Sequence, residues 1–306
     1  MLKTNFIHIF ITILVISIYP WLETLAFDTQ LKITLALIFL LGIPHGAIDH
    51  ILLRKKKQSS KDQIQFYAFY LGLIAVYVIT WIVFPYFSLV IFFLISFYHF
   101  GQSQFSDVKI EETSKSKKLL YLLWGGSIIS GLFYHHYDRL IEFFLETSHF
   151  NQTATVITPT SLYYFFVLTS FATIILMAYL LLFKINSKKR FFSEIGVFLL
   201  LHLAFFTLPP LLAFALYFAV WHSLKVLYEE YQFLGTKRKN FDLNHFIKEL
   251  LPFTLVSVVG VLLLLFAFSY FQFSISPFFL TIIFLSVLTL PHSVVMDNWY
   301  KKMQRK

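Results

Sequence analysis

The sequence predicts an all-α fold, a polytopic transmembrane helical bundle of about ten spans with both termini in the cytoplasm. Of its 306 residues, 58% are hydrophobic and only 13% are charged, and the mean hydropathy is +0.72. A soluble domain cannot bury that much apolar surface. Apolar runs close to the ~20 residues needed to cross a bilayer recur along the chain. We therefore expect a single integral membrane domain over 1–306.

The apolar runs define the predicted spans in order. They fall at 5–23, 32–51, 65–85, 87–105, 118–134, 161–183, 192–208, 211–230, 250–271 and 277–297. The first run follows one early lysine, as in a signal peptide, but no small-x-small cleavage site comes after it. We expect residues 1–26 to form an extra N-terminal span and 27–306 to form the core.

Basic residues alternate from one side of the predicted membrane to the other. Lys3, the loops "RKKKQSSKDQ", "SDVKIEETSKSKK", "KINSKKR" and "GTKRKN", and the tail "KKMQRK" hold nearly every cation, whereas the intervening connections contain only Lys32 and Arg139. By the positive-inside rule, both termini are cytoplasmic and the span count is even. The net charge of +9 therefore reflects topology and does not indicate a nucleic-acid partner. The long outer connection around 135–159 is partly amphipathic, which predicts a short helix along the membrane surface.

Four histidines inside the predicted spans share one depth. Ionisable groups are costly in hydrocarbon and usually face a functional cavity. His45, His99, His222 and His292 lie on four spans that all run from the outer face to the cytoplasm. They come roughly 11 to 15 residues into those spans, which at ~1.5 Å per residue puts them at nearly the same level. Four imidazoles could therefore meet in the cytoplasmic half of the membrane, as in metal sites of helical bundles.

The residue types limit the metal and its surroundings. Neutral imidazole suits iron, copper, zinc or nickel, and the chain has no cysteine, which excludes thiolate ligands. Asp49 follows the first of the four histidines by four residues, so on a regular helix it would share that face and could orient a ligating ring. Gly42 and Gly46 allow close approach of another helix. Pro44 and Pro291 each precede a histidine and predict a local break.

The remaining histidines have simpler interpretations. We expect His8, His202 and His245 to be packing or hydrogen-bonded residues, His135, His136 and His149 to be solvated in the outer connection, and His50 to lie at the membrane boundary. Lys225 and Glu229 are four residues apart and predict a local ion pair. Asp297 is expected near the cytoplasmic surface.

The motifs "GIPHGAIDH", "YHFGQSQF", "FAVWHS" and "LPHSVVMD", in this order, resemble the bacterial Brp/Blh family of membrane β-carotene dioxygenases. Members of that family cleave the central double bond of β-carotene into two molecules of retinal. The resemblance covers most of the chain from the second span onward and implies that 27–306 is a carotenoid-cleaving core in the inner (plasma) membrane. It further implies an Fe²⁺ cofactor, β-carotene and dioxygen as substrates, and delivery of the aldehyde products to a retinal-accepting opsin.

The resemblance also implies a ligand set, with one departure. The family attributes iron binding to a histidine in PHGA, one in HFG, and a pair separated by three residues in a later span. The first three correspond to His45, His99 and His222, but the fourth position is Val226, which cannot bind metal. Either three protein ligands suffice, or His292 supplies the fourth, or the activity is altered. The shared depth favours His292.

The sequence is also compatible with other classes of function. A proton- or ion-translocating protein could line a path with intramembrane polar residues such as His45, Asp49, His99 and Asp297. It would be expected to spread them across the membrane, whereas here they cluster at one level. A haem-binding electron carrier with two histidine ligands and a catalytically altered family member are the further alternatives.

Overall fold

The computed structural model describes residues 2–53, 59–108, 110, 114–147, 150–270 and 277–304. Within these ranges the regular elements are all helical, which confirms the predicted all-α class. The sequence-based predictions for His149, for parts of the basic loops (54–58, 109 and 111–113), for the connection 271–276 and for the last two residues of the tail fall outside the described residues.

Helix occupies all ten predicted apolar runs where the structure describes them. The α-helices are α1 (Leu2–Ser17), α2 (Tyr19–Glu23), α3 (Phe27–Leu37), α4 (Asp49–Leu52), α5 (Ser60–Val83), α6 (Pro85–Phe105), α7 (Lys115–His135), α8 (Tyr137–Leu145), α9 (Asn151–Val156), α10 (Pro159–Ala178), α11 (Lys188–Thr207), α12 (Pro210–Ala215), α13 (Leu224–Lys237), α14 (Leu243–Tyr270) and α15 (Pro277–Gln304). Three π-helical stretches, Ile38–Gly42, Tyr179–Lys184 and Leu216–Ser223, and a 3₁₀ turn at Pro44–Gly46 interrupt the regular geometry.

Eight helical segments of the described chain are long and apolar enough to cross a membrane. They are Phe27–Leu52, Ser60–Val83, Pro85–Phe105, Pro159–Lys184, Lys188–Thr207, Pro210–Lys237, Leu243–Leu263 and Phe279–Met303. These segments are the signature of a multi-pass membrane protein. The first and fifth predicted spans, α1 and α7, are helical but are not among the eight.

The segment Pro210–Lys237 lies at the centre of the bundle. In its most apolar window 78% of the residues are buried inside the protein, compared with 11% for Ser60–Val83. Helices hydrophobic on all sides occupy such central positions. The central segment carries His222, and the other helices surround it.

Two glycines bring α6 and α7 into backbone contact. A methyl group built on Gly101 would overlap the backbone of Tyr121, and one built on Gly125 would overlap the backbone of Phe97. Small residues permit this close approach of helices in a membrane. Because Gly101 is two residues from His99, the contact also fixes the position of that histidine.

The two intramembrane prolines behave differently. At Pro44 the helix changes from a π-helical to a 3₁₀ stretch, as predicted. The break predicted at Pro291 is wrong, since α15 continues through it. Neighbouring helices and local adjustments can compensate for the missing N–H of a proline inside a membrane helix.

The outer connection contains two short helices, α8 and α9. Their presence confirms the predicted helical character of this connection. Tyr137 of α8 donates a hydrogen bond to the carbonyl oxygen of Ile157 (3.0 Å), which joins the start of α8 to the residue that follows α9.

Candidate metal centre

Four imidazole rings from four segments of the chain converge at one level. His45, His99, His222 and His292 are all buried. Ring centroids are 4.7 Å apart for His45–His292, 4.9 Å for His292–His99, 4.8 Å for His99–His222 and 5.1 Å for His222–His45. The centroids of His45 and His99 lie opposite each other at 6.5 Å. The rings form a closed four-membered arrangement.

Two of the four histidines sit where the helix is irregular. His45 lies in the 3₁₀ turn that directly follows a π-helical stretch, and His222 lies within the π-helical stretch of the central segment. Short π-helical and 3₁₀ interruptions of a helix are frequent at functional sites because they redirect a side chain. His99 and His292, by contrast, project from the regular helices α6 and α15.

The donor set fits a metal ion. Each of His45, His99 and His222 offers one ring nitrogen, and these three nitrogens lie within 4.8 Å of one another. Within the described chain, Nδ1 of His45, both nitrogens of His99, Nε2 of His222 and Nε2 of His292 are buried without a hydrogen-bond partner. A buried polar atom left unpaired costs about 1–3 kcal/mol. A metal that accepts neutral imidazole would satisfy several of these atoms at once.

Hydrogen bonds orient two of the rings. Nδ1 of His292 lies 2.9 Å and 3.1 Å from the two carboxylate oxygens of Asp49, and the Tyr70 hydroxyl donates to the same carboxylate (3.0 Å). Nδ1 of His222 lies 2.9 Å from Oγ of Ser103, whose hydroxyl donates to the carbonyl oxygen of Phe100. Each Nδ1 therefore donates its proton, which leaves a lone pair on Nε2 for a metal.

Asp49 orients a histidine ring, but that ring belongs to His292 on α15 and not to His45. The sequence placed it on the same face as His45, four residues earlier, whereas the structure places its carboxylate against His292 of α15. The spacing rule fails here because Pro44–Gly46 is a 3₁₀ turn and α4 begins only at Asp49.

Val226, at the departure from the family pattern, has an apolar environment. It is fully buried and belongs to a cluster that includes Ile48, Leu52 and Met296. It lies one turn beyond His222 along the central segment. Sequence reasoning missed Ser103 and Tyr70; the position of Ser103 one turn after His99 in "YHFGQSQF" was the available signal for the first of them.

Several other intramembrane polar residues have structural partners. His8 packs against Trp221 (centroids 5.4 Å apart), and Nδ1 of His202 lies 2.8 Å from the carbonyl oxygen of Phe198. Nζ of Lys225 and the Glu229 carboxylate are 3.9 Å apart, which confirms the predicted ion pair. These groups are explained by packing and hydrogen bonding.

Four further histidines lie near the ends of helices. His245 is exposed and lies 2.7 Å from the Asp242 carboxylate, and His50 packs against Phe253. His135 and His136 are half-buried, so the prediction that they are solvated is wrong. Burial, reinforced by His135, lowers the pKa of His136 to about 4.

Two cavities lie beside the four imidazoles, of which His45 and His292 line the first and none lines the second. The first, which we call the open cavity, measures about 380 Å³ and is lined by His45, His292 and Tyr70. Its mouth includes Leu71 and Val256, which are 61% and 71% exposed on the lipid-facing surface. The second, the capped cavity, measures about 150 Å³, is almost entirely apolar and ends beneath α8. A hydrophobic molecule could reach the imidazoles from the bilayer without crossing water.

Comparison with known proteins identifies related sequences. A family model described as beta-carotene 15,15'-dioxygenase matches residues 36–300. A protein from uncultured marine bacterium 66A03 named beta-carotene 15,15'-dioxygenase is 26% identical over 212 residues, which cover 67% of this chain and 72% of that protein. No solved structure matches the chain. The family match spans all four histidines.

Replacement of Asp49 by alanine tests the bond that orients His292. The change removes the acceptor for both the His292 ring and the Tyr70 hydroxyl, so we expect a loss of about 1–3 kcal/mol of stability. Thermal unfolding in detergent measures it. The matched control is Asp138→Ala at the exposed Asp138, for which a change within about 0.5 kcal/mol is expected. Equal unfolding temperatures for the two variants would contradict the role of Asp49.

Proposed function

The chain belongs to the beta-carotene 15,15'-dioxygenase family, and on that premise we propose that it is an iron-dependent dioxygenase that cleaves the central double bond of β-carotene into two molecules of retinal. The observation that carries the proposal is the closed arrangement of four buried imidazoles, five of whose ring nitrogens lack hydrogen-bond partners among the described residues. It lies between two cavities with apolar walls, where a polyene can bind.

We assign the metal to His45, His99 and His222, with His292 as the fourth ligand in place of the family histidine that Val226 replaces. Iron(II) bound there would supply the centre at which dioxygen and the double bond react. Asp49 and Ser103 hold His292 and His222 in the tautomer that leaves Nε2 free. Such supporting partners typically change metal affinity 10–100-fold.

The rest of the chain binds and positions the substrate. β-Carotene would enter from the bilayer through the open cavity and lie with its central double bond beside the imidazoles. One carbon–carbon double bond and the dioxygen bond break, two carbonyl groups form, and each aldehyde takes one oxygen atom. The reaction needs no net proton transfer, so we assign no general acid or base. The proposal ends at release of retinal, since no described contact or comparison supports delivery to an opsin.

We further propose the finer topology that the charge pattern predicts. α1 and α7 would join the eight long segments to make ten spans, with both termini in the cytoplasm of a cell whose inner (plasma) membrane holds the protein. Residues 1–26 would be an extra span on a carotenoid-cleaving core of 27–306, within one domain of 1–306. The alternation of basic loops supports this arrangement.

Expression in a host that accumulates β-carotene tests the activity. We expect the orange colour to fade and retinal to appear, because both substrates are then supplied in the membrane. His99→Ala, expressed to the same level, should retain the pigment. Pigment retention without retinal in cells that contain the wild-type protein in their membranes would reject the proposed function.

Replacement of His292 by alanine tests the fourth ligand. We expect the affinity of the protein for iron to be at least tenfold lower, and the activity to fall with it. Elemental analysis of the purified protein measures the bound iron. The matched control is His202→Ala, another intramembrane histidine, which should keep its iron. Val226→His should leave iron affinity unchanged, since that position lies among apolar side chains. Unchanged iron and activity in His292→Ala would reject the ligand, and tighter iron binding in Val226→His would indicate that the native site lacks a ligand.

The natural absence of cysteine permits a direct test of topology. Asp138→Cys on α8 and Lys239→Cys after α13 each introduce one exposed thiol. A membrane-impermeant maleimide added to intact cells should label the first and should label the second only after the cells are permeabilised. The opposite labelling pattern would invert the proposed orientation, and the wild-type chain serves as the unlabelled control.

A further inference from the structure

The two cavities share three lining residues next to the imidazoles. Phe218, Leu285 and Thr289 line both of them. Phe218 is one turn before His222, and its ring centroid lies 6.0 Å from that of His45. A long apolar molecule that extends past Phe218 would therefore occupy the open cavity, which His45 and His292 line, on one side and the capped cavity on the other.

The two cavities end differently. The open cavity reaches the lipid-facing surface, as its exposed residues show. The capped cavity is lined away from the imidazoles by Leu89, Phe144 and Phe279, all of which are buried. Phe144 and Phe279 both pack against Phe150, with ring centroids 6.3 Å and 4.6 Å away. The open cavity therefore has exposed residues at its mouth, whereas the capped cavity has a buried, largely aromatic wall on the side away from the imidazoles.

The depth of the capped cavity is set by helix geometry. Leu89 at the wall and His99 at the imidazoles are about three turns apart on α6, or ~15 Å along the helix. Phe279 and Thr289 are separated by the same interval on α15. This depth is comparable to half the length of a β-carotene molecule.

A hydrocarbon polyene cannot be positioned by hydrogen bonds. β-Carotene has no polar atom, and its double bonds are chemically similar along the chain. The walls of the capped cavity are almost entirely apolar; its polar lining residues include the hydroxyl-bearing Ser96 and Thr289, and Arg139, which pairs with Glu142 at the surface (2.7 Å). Contact between the end of the molecule and the end of the cavity is then what selects the bond that lies beside the imidazoles.

We infer that the capped cavity is a molecular ruler: it receives one half of the carotenoid, and its wall of Leu89, Phe144 and Phe279 sets which double bond is cleaved. The inference rests on the proposed function and adds the origin of its regiospecificity. The open cavity holds the other half without fixing its length. Whichever double bond is cleaved, one dioxygen is consumed and each new carbonyl takes one oxygen atom.

Variants of opposite effect test the ruler in cells that accumulate β-carotene, with products separated by liquid chromatography and identified by mass. Phe144→Ala and Phe279→Ala deepen the cavity, and Ile282→Trp shortens it. We expect wild type to give retinal alone. Each variant should give unequal pairs of carbonyl products, with retinal reduced from the sole product to a minor one. Phe171→Ala, an exposed phenylalanine on α10 outside both cavities, should still give retinal alone.

The outcomes separate the ruler from the proposed function. If the variants that cleave β-carotene give retinal alone, the ruler is wrong and the dioxygenase proposal stands. If wild type gives no carbonyl product, the proposed function itself fails. The alanine variants remove packing and Ile282→Trp adds it, so the two kinds of variant do not destabilise the protein in the same way. If the alanine variants do not accumulate, the products of Ile282→Trp test the ruler. Phe279→Leu provides a milder deepening change.

Discussion

The structure depends on the cost of keeping four imidazole rings in an apolar interior. Each ring nitrogen removed from water needs a partner, and five of those nitrogens have none among the described residues. Repacking with apolar side chains would be the cheaper solution for a protein that used this position only for stability. The retention of four polar rings at one point is therefore best understood as a requirement of chemistry, and the surrounding helices are arranged to meet it.

Close backbone contacts provide that arrangement. A methyl group on Gly42 would lie 2.6 Å from the ring of Phe218, and one on Gly46 would lie 3.3 Å from Nδ1 of His292. Neither neighbour could keep its present position beside a larger residue. Gly42 thus lets its segment approach the central segment, Gly46 lets the same segment approach α15, and Gly101 brings α6 against α7. Asp49 and Tyr70 add a hydrogen-bonded connection between α15, α4 and α5.

The sequence predicted the parts of this site that follow from regular helical geometry. Counting residues from the outer ends of the spans placed His45, His99, His222 and His292 at one depth because the rise per residue is nearly constant in a helix. The prediction about Asp49 named the right residue but the wrong face, since a 3₁₀ turn and not a regular helix precedes it. The π-helical stretches, the two cavities and the contact with Ser103 depend on packing between distant segments, which periodicity in one segment does not report. The continuation of α15 through Pro291 likewise depends on its neighbours.

The replacement of a family histidine by Val226 is understandable in this arrangement. A ring at position 226 would lie among Ile48, Leu52 and Met296, one turn from His222, and would need its own polar partner there. The ring of His292, on α15, lies 4.7 Å and 4.9 Å from those of His45 and His99, and Asp49 already accepts its Nδ1 proton. A donor supported in this way leaves position 226 free to become apolar, and the packing of Val226 then strengthens the layer beneath the site. In the proposed ligand set, the donor that the resemblance places on α13 is therefore supplied from α15.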